Sequence, residues 1–154
     1  MRLTTEPPWK SAWPVLLGGL AVVCAVLVPV VVSPEVRIVV MRAFHAVCHQ
    51  IPERSPHLAG IQLGVCHRCF GIYAAVPLMA LVMMWWRHRE QRGRWVQAGL
   101  AIMALPMAID WAAGAFGWWG NTPASRMITG GIWGLAVGWV LVSVLARQKK
   151  PNTS

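Results

Sequence analysis

Four runs of apolar residues, each about twenty long and almost free of charge, divide this 154-residue chain. A helix rising about 1.5 Å per residue needs roughly 20 such residues to cross the ~30 Å hydrocarbon layer of a bilayer. No water reaches backbone N–H and C=O groups there, so a spanning segment must satisfy them within itself, as a helix does. The runs predict an all-α integral membrane protein with a single transmembrane domain over 1–154. It is read as a four-helix bundle with spans near 13–32, 66–86, 95–118 and 127–146. Charged residues make up 12% of the chain, about half the share of an average soluble domain, which excludes an ordinary soluble fold.

The net charge of +9 raises nucleic acid as a partner, and the positions of the 14 basic residues answer it. Arg87, Arg89, Arg92 and Arg94 fill the short connection 87–94, and Arg147, Lys149 and Lys150 follow the last run. That is the pattern of cytoplasmic loops rather than of a groove-binding surface, so no nucleic-acid partner is expected. Four crossings put both termini on one side. With Arg2 and Lys10 that side carries nine basic residues, against five on the other: Arg37, Arg42, Arg54, Arg68 and Arg126. The excess predicts a protein of the cell (inner) membrane with cytoplasmic N and C termini, a cytoplasmic loop 87–94 and an extracytoplasmic segment 33–65. Trp9, Trp13, Trp85, Trp86 and Trp95 at the inner ends, and Trp118 and Trp119 at an outer end, suit the headgroup preference of indole. The first run is read as a retained helix rather than a cleaved signal, because no small-x-small site follows it and three further runs do.

Within the outer segment Val36, Val39, Val40, Ala43, Phe44 and Val47 recur at helical spacing. They predict a further helix between spans 1 and 2, lying in the interface or covering the mouth of the bundle. On such a helix His45, Cys48 and His49 share a side. Gly130, Gly134 and Gly138 form a small-xxx-small face on the fourth span, suited to packing inside the bundle or to a homodimer. Pro29 and Pro106 fall inside spans and bend them.

Three of the four cysteines lie close together: Cys48 in the outer segment, then Cys66 and Cys69 where the second span begins. Cys24, mid-span, reads as a small buried hydrophobe. His45-x-x-Cys48-His49 and Cys66-x-x-Cys69 are two short donor pairs joined by a loop, which is the spacing of a structural zinc site. Each pair presents donors to one face of an ion, and thiolate with imidazole suits borderline-soft zinc. The predicted ligands are His45, Cys48, Cys66 and Cys69, with His49 or His67 as the substitute nitrogen. Two alternatives stand beside zinc. A Cys-x-x-Cys pair facing an oxidising compartment is also a redox dithiol, with Cys48 as a third thiol, and Cys48 could close a structural disulfide with Cys66 or Cys69. Haem attachment is disfavoured because Phe70, not His, follows Cys69.

Asp110 lies inside the third span and needs a partner there; Arg126, entering the fourth span from the outer side, is the expected one. Gln50, Glu53, Arg54, Ser55, Arg68, Tyr73 and Thr129 are assigned to the same outer half. Together with Asp110 and Arg126 they predict an outward-facing polar pocket for a lipid, a quinone or a partner. The chain has no HExxH helix, no phosphate-binding glycine loop and no Ser/His/Asp order, which leaves little room for common hydrolase and nucleotide classes.

The strings Cys48-His49-Gln50-x-Pro52-Glu53-Arg54-Ser55 and Cys66-x-Arg68-Cys69-x-Gly71-Ile72-Tyr73 resemble the signature of a bacterial family of multi-pass membrane proteins, domain of unknown function family 2085. Asp110-Trp111 and Arg126-x-x-Thr129-Gly130 resemble its second half, and the likeness runs from about Ala43 to Gly134. His67 and Thr122-Pro123-Ala124 depart from that pattern. The resemblance implies the membrane topology and the cysteine site and supplies no reaction. Two functions follow as expectations: a metal-stabilised membrane protein that binds a ligand in its outer pocket, or a thiol-disulfide oxidoreductase passing electrons from Cys66-x-x-Cys69 to a quinone.

Overall fold

A computed structural model describes residues 9–85 and 93–148, with backbone alone at 9, 93–96 and 147–148. Most of the expected inner loop, the arginines at 87, 89 and 92 within it, Arg2, Trp86 and the basic tail after Gln148 lie outside the described residues. The elements are α1 (Trp9–Val31), α2 (Pro34–His45), a 3-10 turn (Pro52–Arg54), β1 (His57–Leu58), β2 (Ile61–Gln62), α3 (His67–Trp85), α4 (Gly93–Ala115) and α5 (Pro123–Gln148). Four of these helices, α1, α3, α4 and α5, are long and apolar enough to cross a membrane.

Three span boundaries differ from the hydropathy reading by three residues or more: α1 starts at Trp9 rather than Trp13, and backbone chemistry accounts for the other two. The third span stops at Ala115 rather than Trp118 because Gly117 turns to φ +71°. Trp118 N–H then reaches Ala113 C=O at 2.9 Å and Gly117 N–H reaches Gly114 C=O at 3.4 Å. This pair of bonds satisfies carbonyls that a helix end would otherwise leave open. The fourth span starts early, at Pro123, where proline loses nothing by lacking an N–H. Thr122 caps it, its Oγ1 accepting from Ser125 N–H at 3.0 Å.

The bundle is organised around α3. Helix α5 runs parallel to it with the two backbones in near contact. A Cβ on Gly130, Gly134 or Gly138 would strike the carbonyl oxygens of Arg68, Ile72 and Val76 respectively. Four-residue steps on one helix meet four-residue steps on the other, which is the close approach that small residues permit. The glycine face proposed for a homodimer is therefore occupied by α3 of the same chain. Helix α1 packs on the other side of α3, with Gly19 against the ring of Pro77. Helix α4 rests mainly on α5.

Two small cores result. One joins Ala12, Val15, Ala80, Met83 and Val142; the other, at the opposite end, joins Val26, Cys48, Leu63 and Val65, with Phe44, Phe70 and Tyr73 packed against it. Elsewhere the helices present apolar side chains outward, as Leu78, Ile102, Leu105, Ile109 and Leu141 do. In water so many exposed large apolar side chains would promote association; against lipid they are the expected outer surface. Trp85, Trp118 and Trp119 are exposed at or just beyond helix ends.

The segment between α1 and α3 is more built than its hydrophobic stripe suggests. Helix α2 forms as expected but has no buried residue, and it leaves Val36, Ile38 and Val39 exposed. Arg37 Nε donates to Pro29 C=O at 2.9 Å, satisfying one of the open carbonyls at the end of α1. A two-stranded hairpin follows, pairing His57 with Gln62 and Leu58 with Ile61 around Ala59 (φ +51°) and Gly60 (φ +77°). It is short enough to leave no alternation to read.

Candidate metal centre

Helix α2 ends at His45, and this decides which donors meet. Cys48 N–H and Val47 N–H both turn back onto Phe44 C=O, so the chain leaves the helix before Cys48. The one-sided His45, Cys48, His49 arrangement expected of a longer helix does not arise. His45 stays exposed at the end of α2, whereas Cys48 enters the upper core and is 5% exposed. Gln50, at φ +51°, fixes the exit, its Nε2 donating to Met41 C=O at 2.9 Å and to Gly64 C=O at 2.7 Å. Gln62 Nε2 donates to Gln50 C=O at 2.7 Å, which ties the hairpin to the same point.

Cys66 immediately precedes α3, and its C=O accepts from Phe70 N–H at 2.9 Å. Cys69 falls in the first turn. The three sulfurs of Cys48, Cys66 and Cys69 lie within 4.8 Å of one another, and the Cys66 N–H donates to Cys48 Sγ at 3.2 Å. All four cysteines of the chain are free, so the disulfide weighed as an alternative for Cys48 is not formed. The Cys69 thiol donating to Cys66 pulls the Cys66 thiol down to about 5, against the opposing effect of partial burial. Three soft, nearly converged sulfur donors fit a thiophilic ion such as zinc. Among the described residues this is the group of His, Cys, Asp or Glu side chains placed to hold one.

The three cysteines open on a cavity of about 350 Å³ at the end of the bundle where α3 and α5 begin and α4 ends. His49, Gln50, Arg54, Arg68 and Arg126 line it from the predicted set. Val47, Ile51 and Trp111 also line it, residues that the sequence reading did not assign to the pocket; Trp111, beside the intramembrane Asp110, carried the one usable signal. The other expected pocket residues do different work. Glu53 is exposed on the 3-10 turn. Ser55 is buried with its Oγ on Ile51 C=O at 2.8 Å, and Thr129 Oγ1 bonds back to Ser125 C=O at 2.8 Å. Tyr73 packs below the cluster. His67 is held away, its Nδ1–H donating to Arg54 C=O at 2.7 Å.

The ion pair of Asp110 is with Arg68 at 2.5 Å, not with Arg126. Arg68 sits between the paired cysteines at the start of α3, level with the end of α4. Asn121 completes the arrangement, donating from Nδ2 to the carboxylate (2.8 Å) and to the Asp110 carbonyl (2.6 Å). Gly114 is required for this, since a Cβ there would occupy the position of the Asn121 amide. Two polar atoms, Arg68 Nε and Asp110 Oδ1, remain buried without a partner among the described residues. Arg126 stands within electrostatic range of both Arg54 and Arg68.

Residues 48–140 match the model of a family described as predicted membrane protein, domain of unknown function 2085. The chain belongs to this family. The matched stretch opens at Cys48 and contains Cys66, Cys69, Arg68, Asp110 and Arg126, while His45 lies before it. An uncharacterised protein of Methanocaldococcus jannaschii is 30% identical over 104 residues, a match covering 66% of this chain and 65% of that protein. This chain thus spans somewhat under two thirds of its relative's length. No solved structure matches.

Proposed function

We propose that this membrane protein carries a zinc–thiolate centre, held by Cys48, Cys66 and Cys69 with His49 as fourth donor, on the extracytoplasmic face of the cell (inner) membrane. The convergence of three free sulfurs within 4.8 Å carries the reading. His49 replaces His45 in the ligand set because it lines the same cavity, whereas His45 ends α2. Four protein donors close a tetrahedral ion, and closed sites are structural. The ion would then tie the outer segment to the start of α3 and shape the cationic cavity, which takes a lipid, a quinone or a partner.

Cobalt(II) substitution tests the ligand set. The full chain should give an intense tetrahedral thiolate spectrum with sulfur-to-cobalt charge-transfer bands. His45→Ala should keep it and Cys48→Ser should lose it; an octahedral, weakly coloured cobalt protein would overturn the assignment.

A second reading follows from the low-lying Cys66 thiol next to two others. Cys66 and Cys69 would pass two electrons and two protons to a quinone and become a disulfide. Metal resistant to mild oxidant and removable by chelator favours the first reading. A thiol count that falls by two when a quinone is added favours the second.

A further inference from the structure

The cavity beside the cysteines and a second, apolar one lie along the same three helices. An apolar groove of about 560 Å³ lies between Met79 of α3, Gly99 and Met103 of α4, and Ile132 and Ala136 of α5. The same three helices wall the cationic cavity. Helices α3 and α4 scarcely touch, and each packs on α5, which leaves a cleft between them with α5 as its floor. Along α5, Arg126 and Ile132 are six residues or about 9 Å apart; along α4, Trp111 and Met103 are eight residues or about 12 Å apart. The charged site at the end of the spans therefore lies roughly two turns along α4 and α5 from an apolar groove at membrane depth.

The charge of the upper end is unbalanced. Arg54, Arg68 and Arg126 bring three positive charges, and Asp110 cancels one. A divalent ion on three thiolates would contribute a single negative charge, leaving one positive charge over. This surplus calls for an anion with several acceptor oxygens. A neutral quinone ring balances none of it, and a free phosphate leaves the groove unexplained.

We propose that the α3–α4 cleft binds an anionic phospholipid, its phosphodiester among Arg54, Arg68 and Arg126 and one acyl chain in the groove between α3 and α4. The inference rests on the pocket of the reading above but not on its metal. It is tested by native mass spectrometry of the full chain in detergent, titrated with dioleoylphosphatidylglycerol, dioleoylphosphatidylcholine and glycerol 3-phosphate, with zinc counted in every sample. Phosphatidylglycerol should bind one per chain, at least about tenfold tighter than phosphatidylcholine, since both carry the phosphodiester but the choline brings a positive charge against Arg54, Arg68 and Arg126. Arg126→Gln should lose about tenfold, and Arg54→Gln, at an exposed position that folds regardless, a smaller factor in the same direction. Gly99→Phe, placed where a Cβ meets nothing within 4 Å, should fill the groove, weakening the lipid while sparing glycerol 3-phosphate. Equal affinity for the two lipids overturns the proposal. So does tight glycerol 3-phosphate binding with no effect of Gly99→Phe, which would mark a site for soluble phosphate. Zinc without lipid preference would leave the metal reading intact and sink this one; lipid preference without zinc would do the reverse.

Discussion

Arg68 shows how much a single side chain determines in this protein. It stands between two cysteines, lines the cavity and neutralises the one buried carboxylate of the described spans. The need for a partner at Asp110 was legible in the sequence, because an ionised group inside a span is costly. The identity of that partner was not, since it depends on which helix ends share a level and on the room that Gly114 leaves for Asn121. A double-mutant cycle separates the two arginines. Asp110→Ala alone should cost about 3 kcal/mol by leaving Arg68 uncompensated. Coupling to Arg68→Ala should reach about 1 kcal/mol or more, and coupling to Arg126→Ala should stay below about 0.5. Thermal unfolding in detergent provides the readout, and the opposite order would restore the pairing expected from sequence.

At the scale of the element, periodicity was informative where it was long and silent where it was short. The glycines at 130, 134 and 138 announced a close backbone contact, and the structure turns that face to α3. Gly134→Leu should therefore force α3 and α5 apart and cost about 3 kcal/mol or more. Gly18→Ala, in α1 with nothing within 4 Å of its Cβ, should be neutral or stabilise by up to about 1 kcal/mol. Equal effects of the two would mean that the α3–α5 seam is not where the helices meet. By contrast, α2 ends two residues before its hydrophobic stripe does, because Val47 and Cys48 both bond to Phe44 C=O. A stripe marks a face and not a terminus, and that is why His45 read as a ligand. The hairpin turns on Ala59 and Gly60 with two residues per strand, too little for a pattern of period two to emerge.

The whole molecule follows from hydropathy and from two local events, the turn after α2 and the start of α3. Four apolar runs dictate four crossing helices, and the parallel pair α3 and α5 brings their first turns to the same end. The segment between α1 and α3, clamped by Gln50, delivers Cys48 to that end, where Cys66 and Cys69 already stand. A metal there would hold the least regular part of the described residues against the most tightly packed helix, and its loss should loosen the segment between α1 and α3 more than the bundle. The measurement that decides this is elemental analysis of the detergent-purified full chain beside Cys66→Ser, with free thiols counted in the same samples. The account predicts about one zinc per chain in the wild type and none in the variant, as a site needing every ligand requires. No metal in either, with two thiols fewer in the wild type than its four cysteines supply, would contradict it and leave a disulfide, redox or structural, at the cluster.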